Sequence, residues 1–470
     1  MKAKSIYIIL FIISLTGFSS KTSSAQDIIT LQRFESAQVT TVNGERIRKV
    51  YDARMSLGDV TMVCDSAWQF LNRNELQAFG NIQIDTSTEN IWADTLYYYT
   101  NQDLSKLRGR VIIKQDSTLL FGEKVNYNFL TKVAYFEEGI RLEDDQGILT
   151  ALKGTYFQNQ DSAVFRNRVQ ISDSAQYAEG DSLFINRERE YLELFNNVFV
   201  IDSTNNGLLT GDYLEADSTG RRYVLGNGYL RNIDSDSTSF DTTHIYASEL
   251  QMIENDSTST ISGYKDVSVW SVNFSSLSDS LFYNDQTQLF ELNGKPKAWH
   301  KNIQLSGPFI SVQMDSGQVN ELRSFVGAFA IQEDSLTGRL HQLKGDSLFA
   351  YFDSGSVSEI LMYPNSEILY HTKNEADEPD GAMESASPKT ILYFESGELA
   401  QAKMEKNEGL FLPEYEGLID RKLDGFEWNP ELRPQRTIIQ PKPKWEPISL
   451  ERPFELPRRF LAFMKFTLEK

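Results

Sequence analysis

A 29-residue period runs from Val63 to about Tyr229 and restricts this fold more than any other feature of the chain. Small residues stand at Cys64, Ala93, Gly122, Ala151 and Gly180, each 29 apart. Sixteen residues after each comes a turn-prone pair: Gly80-Asn81, Gly109-Arg110, Glu138-Gly139, Asn167-Arg168 and Asn196-Asn197. The register then stretches, but the offset of 16 survives in Gly211 with Asn227, Ala247 with Gly263 and Ser278 with Gly294. One unit of this length cannot bury an apolar face alone, so the units must stack.

Within each unit the apolar residues fall at steps of two. After the small residue they are Leu96 and Tyr98, Val125 and Tyr127, and Leu183 and Ile185. After the turn-prone pair they are Ile82 and Ile84, Val111 and Ile113, Ile140 and Leu142, Val169 and Ile171, and Val198 and Val200. This alternation, in β-branched and aromatic residues, predicts strands with one buried face. The intervening positions Gln83, Ile112 and Gln170 then point to the opposite face, which is expected to meet water. Turn chemistry recurs between strands in near-copies such as "QDST" (115–118) and "IDST" (201–204). Each unit therefore yields two strands, one per sheet. About ten units at ~4.8 Å spacing give an array about 50 Å long.

The flanks read differently. Lys2 and Lys4 precede an apolar run from Ile6 to Leu15, and small residues close the segment at Ser23-Ser24-Ala25. That pattern predicts a cleavable signal peptide over 1–25, too short to span a bilayer, and hence export. Residues 26–232 hold the β repeats, with 26–62 as a degenerate leading copy that caps the stack. Residues 233–404 continue the repeats as a possible second domain. Within them the acidic, small-residue-rich stretch 374–389 reads as a mobile loop and 390–404 as a last strand pair. Residues 405–470 form a tail with eight of the 13 prolines, which cannot donate to a ladder. Its Trp428, Trp445 and Phe454 imply packing along something. The formal charge of −20 belongs to the array: residues 401–470 carry 13 Lys and Arg against 12 Asp and Glu, leaving 33 against 54 before them. Such acidity argues strongly against nucleic acid or an anionic membrane surface as a partner.

No constellation in the sequence fits catalysis or a metal, and no cofactor is expected. His244, His300, His341 and His371 have no ligand spacing. A recurring Asp (Asp94, Asp181, Asp279, Asp346) follows the repeat and gives way to Glu123, Leu152 and Pro308 in other copies, as a solvated or turn-edge position would. The string "GDSL" at Asp181 and Asp346 is part of that unit and lacks the dedicated partner a nucleophile needs. Cys64 occupies the small position and reads as a buried side chain.

The segments "VCDSAWQF" (63–70), "NELQAFGNIQI" (74–84), "IWADTLYYY" (91–99) and "KLRGRVIIK" (106–114) resemble the OstA-like family, the lipopolysaccharide-transport proteins of the LptA and LptD N-terminal type. The similarity is strong over residues 49–230 and fades towards 370. It implies an elongated, twisted β-jelly roll whose two sheets enclose an open apolar groove. It also implies binding of lipopolysaccharide by its lipid A acyl chains, and docking to other transport proteins through edge strands. The sixteen alternating residues named above then line the groove. The leading edge is expected near 47–57. Acyl contacts should dominate, with divalent cations bridging acidic groups, because an acidic array repels phosphate. A structural or adhesive β-solenoid with a dry core and a β-helical carbohydrate-active enzyme are the alternatives. The second lacks an acid pair standing apart from the repeat.

Overall fold

The computed structural model describes residues 29–204, 207–234, 241–255, 257–315, 317–395, 398–435 and 441–468. The signal segment at 1–25 lies outside them. The described residues form one antiparallel, almost entirely meandering sheet, folded into a β-jelly roll from Thr30 to Pro413.

Every regular strand bends in the middle, and the turn-prone pairs mark the bends. Strand Glu75–Asp85 pairs with Asn90–Tyr99 through Phe79↔Thr95 and then Ile82↔Ala93, so Gly80 and Asn81 together oppose Asp94. Two residues against one is a β-bulge. Both bulge residues take left-handed backbone: Gly80 has φ 75° and Asn81 44°, Gly109 68° and Arg110 39°, Asn196 55° and Asn197 51°. The recurring Asp clamps the following corner. Asn81 Nδ2 donates to Asp65 Oδ2 at 2.7 Å, Asn197 to Asp181 at 2.7 Å and Asn227 to Asp212 at 2.8 Å. Arg110 forks onto Asp94 through Nε and Nη2. The Asp thus keeps its half-exposed position at the turn edge and gains a specific contact there. Half-exposed pairs of this kind contribute little energy, so the clamp sets shape more than stability.

A strand bent at its centre belongs to two walls. One half lies in a wall whose hairpins fall near 57–60, 85–90, 115–118 and 143–148, the other half in a wall with hairpins near 99–104, 128–133, 157–162 and 186–191, and the order of the halves alternates from strand to strand. Each unit thus adds two strands to both walls, not one strand to each. The rise per unit is about 9.6 Å, twice the expectation. Between the walls a single hydrophobic cluster runs unbroken from Ile29 to Phe394. The sheet pairing is equally continuous across residue 232, where strand Arg221–Asp234 joins its neighbours on both sides.

Three expectations for the ends are corrected. The stretch 374–389 is no loop, because Pro379–Ser387 is a strand paired with Ser366–Lys373 and Glu408–Pro413. The sheet therefore reaches into the proline-rich region, whose prolines are sparse before Pro413. The segment 47–57 is no edge either: Glu45–Leu57 is paired on one side with Thr30–Arg33 and Ser36–Val42 and on the other with Val60–Phe70. Among the described residues the leading edge is 30–42.

From 414 onward no described residue is in a strand, and the tail runs back over the outside of the first wall. Lacking ladder hydrogen bonds, its backbone is held by side chains of the sheet. Gln342 accepts from Leu423 N at 2.8 Å and donates to Arg421 O at 3.0 Å. Gln304 does the same with Asn429 N at 2.9 Å and Glu427 O at 2.7 Å. Gln170 Nε2 donates to Glu446 O at 2.6 Å, and Arg141 Nη2 to Leu450 O at 3.1 Å. The run ends in a helix, Arg458–Leu468, whose Phe460 packs edge-on against Trp92 at 4.9 Å and is covered with Ile112 and Phe121. This overturns the solvent assignment of two of the three outward positions. Ile112 is fully buried and Gln170 only 3% exposed, because the tail takes the place of water.

The corners generate a stability prediction. A Cβ on Gly80 would meet Asp65 Oδ2 at 2.5 Å and one on Gly109 would meet Asp94 Oδ2 at 2.7 Å, whereas one on Gly139 would meet nothing within 4 Å. All three have positive φ, which alone costs an L-residue about 1–2 kcal/mol. Gly80→Ala and Gly109→Ala should each lower unfolding free energy by more than Gly139→Ala. Equal costs in urea melts would show that the Asp clamp yields freely.

Candidate functional site

The structure brings all sixteen alternating residues into one interior. Thirteen are buried: Ile82, Ile84, Leu96, Tyr98, Val111, Ile113, Val125, Tyr127, Ile140, Leu142, Val169, Leu183 and Val198. Ile171, Ile185 and Val200 are partly buried and pack against the same cluster. Residues from the two walls face one another across it, as the parity of the strands requires.

The side of the jelly roll opposite the corners is a seam where hairpins of the two walls meet. Over much of its first half polar side chains stitch it shut. Gln158 Nε2 donates to Thr88 Oγ1 at 3.1 Å, and Arg187 Nη1 to Thr118 Oγ1 at 2.7 Å. Arg187 also pairs with Asp144, whose side chain is 5% exposed. Tyr127 donates its hydroxyl to Glu89 Oε2 at 2.5 Å, with Lys132 Nζ 3.8 Å from the same oxygen. The seam is crossed again near the far end, where His300 Nε2 lies 3.1 Å from Gly355 O and Lys301 Nζ donates to Ser356 Oγ at 3.1 Å.

The first two bridges join residues 70 and 69 apart. One unit earlier, the same offset sets the hairpin at 57–60 against 128–130, and there the facing side chains are apolar. Leu57, Val60, Phe129 and Leu130 rim a cavity of about 210 Å³. Ile29, Met55, Met62 and Leu76 continue its lining inward to Ile84, Leu96 and Tyr98. The cavity is open to solvent, and Leu130 is 75% exposed at its rim. Here the groove is open. Its size lies below the roughly 300–1,000 Å³ of pockets that enclose a drug-sized ligand, and its lining is mainly apolar, with Ser56 and Asp103 its polar members. An unbranched apolar chain fits that chemistry better than a compact polar molecule.

Three of the sixteen alternating residues, Ile84, Leu96 and Tyr98, reach this mouth. The residues missed are Leu76, Phe129, Leu130 and those of the leading copy, whose degenerate pattern reads as a cap. A signal was present: Met62 precedes Ile91 by one period of 29, and Leu57 and Val60 flank the hairpin Gly58-Asp59.

Other candidate groups do not gather into a site. The four histidines are all buried in the sheet, and burial holds His341 down to about 4. Among the described residues no three of His, Cys, Asp and Glu could hold a metal ion. Cys64 is fully buried in the core, and burial, with Asp65 adding to it, pushes its thiol up to about 12. That thiol carries negligible thiolate at neutral pH.

Comparison with known proteins bears on the class. Residues 26–181, about a third of the chain, match the family described as OstA-like protein, so the resemblance drawn from the repeats holds there. A solved structure from Pseudomonas aeruginosa, LptH, described as the LptA-homologous periplasmic component of the conserved lipopolysaccharide transport device, is similar at 14% identity. The match covers 25% of this chain and 82% of that one with a TM-score of 0.23, a superposition too loose to bear on function. No curated protein matches the chain.

The seam gives a pH prediction. Glu89 is 1% exposed and its second carboxylate oxygen has no hydrogen-bond partner. Burial holds its pKa above the usual carboxylate range, against the opposing pull of the Tyr127 hydroxyl and Lys132. With the folded pKa above the unfolded one, the native state holds the proton more tightly. Its contribution to stability therefore falls as pH rises from about 4.3 through the raised value. Glu89→Gln keeps an acceptor for Tyr127 and cannot ionise. The urea midpoint of this variant relative to the unaltered protein should rise as pH increases from the acid side to neutrality. A difference independent of pH would show that Lys132 compensates fully for burial.

Proposed function

We propose that this protein is a periplasmic lipid-binding component of lipopolysaccharide transport and outer-membrane biogenesis, without enzymatic activity. It admits acyl chains of lipid A at the cavity rimmed by Leu57, Val60, Phe129 and Leu130 and guides them along the apolar interior. One observation carries the reading: the seam is apolar and open at one end of a hydrophobic interior that runs the length of the sheet, and polar and bridged in the units that follow. The OstA-like match over 26–181 covers this end and supports the same class. Export by the segment 1–25 belongs to the reading. So does strand addition by another transport protein at 30–42, where Val39 and Val42 are exposed. The net charge of −20 supports an affinity carried by the acyl chains, with divalent cations bridging to phosphate.

A second reading is a structural β-solenoid with a dry core, favoured by the burial of thirteen of the sixteen interior positions. Site-specific photo-crosslinking separates the two. A probe at Ile84 or Leu96, at the mouth, should label lipopolysaccharide strongly. Probes at Ile113 and Ile171 should label only if the chain penetrates beyond it. A probe at Gln83, on the opposite face of the Ile84 strand, should stay dark. Equal labelling at Gln83 and Ile84 would mean surface adsorption. Silence at every interior site in folded protein would leave the dry core.

A further inference from the structure

We infer that the carboxy-terminal helix Arg458–Leu468 is a docking element for an anionic lipid surface, carried on the outside of the end that holds the cavity. One face of the helix is spent on the sheet: Phe460 is buried against Trp92, with Phe463 5.3 Å from the same ring, and Arg459 lies 3.6 Å from Asp65. The other face is not polar, as it would be in a helix that merely clips a tail to a sheet. Leu461 is 50% exposed and Phe466 60%, and the exposed Arg458 and Lys465 stand between them around the helix. At 100° per residue Leu461, Lys465, Arg458, Ala462 and Phe466 occupy one continuous arc. Apolar side chains flanking basic ones on one exposed face are the pattern of a helix that lies in a lipid headgroup layer.

Charge selects the partner. Residues 458–470 carry four basic groups, Arg458, Arg459, Lys465 and Lys470, against Glu469 alone, in a chain of net −20. The acidic array is repelled by an anionic membrane, so only a locally basic element allows approach, and it must be the element that touches. Placement agrees. Trp92, which seats the helix, lies in the strand Asn90–Tyr99, whose Leu96 and Tyr98 line the cavity from the other face. A docked helix therefore holds the open end of the interior near the lipid. The docking rests on the helix alone and does not depend on what the cavity binds.

The test is flotation of the full-length protein with phosphatidylcholine vesicles, with and without added phosphatidylglycerol. The protein should float with the anionic vesicles, fail to float with the neutral ones, and be released by salt. Arg458→Glu with Lys465→Glu should weaken binding at least tenfold, since each basic residue near an anionic surface is worth roughly a factor of five. Leu461→Asp with Phe466→Asp should abolish it. All four side chains face outward, so an unchanged thermal transition certifies the fold of each variant. The inference is overturned if the unaltered protein ignores phosphatidylglycerol or if the variants float as well as it does. It is also overturned if the substitutions instead dissociate a dimer in vesicle-free sedimentation, which would assign the face to the acidic array of a second copy. Crosslinking from Ile84 in vesicle-free solution reads the cavity separately, so either result can fail without the other.

Discussion

Everything in this structure depends on the bend at the middle of each strand. Two consecutive residues in left-handed backbone, opposed by one Asp, turn a flat antiparallel meander into two walls joined along a corner. Without that bulge, strands of this length would form one open sheet with an apolar face in water. With it, the alternation that places Ile82 and Ile84 on one face also places Leu96 and Tyr98 opposite them, and the interior closes on itself. Gly and Asn recur at these corners because they enter the left-handed region at least cost. Arg110 shows that the requirement is conformational and not strict in composition, since its guanidinium takes over the contact Asn81 makes elsewhere.

The period made the inner surface legible. Spacing of 29 placed the corners, parity placed the sixteen interior residues, and both readings survive because they follow from local backbone geometry repeated many times. The length per unit escapes the same reading for a related reason. A corner reads as a boundary between strands, although Phe79 and Ile82 lie in two halves of one strand. What could not be read was whatever the period does not repeat. Ile112 and Gln170 sit at equivalent positions two units apart and look like outward residues, one of them an accident. Both are covered by a tail that has no period of its own. Side chains that hold backbone groups of a strand-free segment, as Gln304 and Gln342 do, leave no pattern a single sequence reveals.

The tail also divides the electrostatics of the molecule. The array is acidic, while the tail that covers its outer face is close to balanced, with 13 basic and 12 acidic residues over 401–470. Several tail cations are spent locally on array carboxylates, Lys444 on Asp181 and Arg452 on Glu143 among them. Exposed pairs of this kind stabilise weakly, so the tail is held chiefly by its backbone contacts and by the aromatic seat around Trp92. That seat is an apolar contact on the outer face, and it holds the helix against the sheet while its far side stays exposed.

The seam sets what the interior can do. At about 210 Å³ the open mouth takes a segment of one apolar chain, far less than a multiply acylated lipid. Passage of anything larger along the interior requires the walls to part at the hairpins. Parting them means breaking the Arg187–Asp144 pair and exposing Glu89 with its Tyr127 contact. Breaking a buried pair is costly only while the separated charges stay buried. Here the opening itself brings in water, so each group is rehydrated as its partner leaves. Polar stitches along an apolar groove are thus a closure that excludes water from the core when shut yet opens with a smaller penalty than a seam of packed aromatics would. On the proposed function, an acyl chain gains contact at the apolar rim of Leu57, Val60, Phe129 and Leu130 before any of these stitches is broken, and opening begins there.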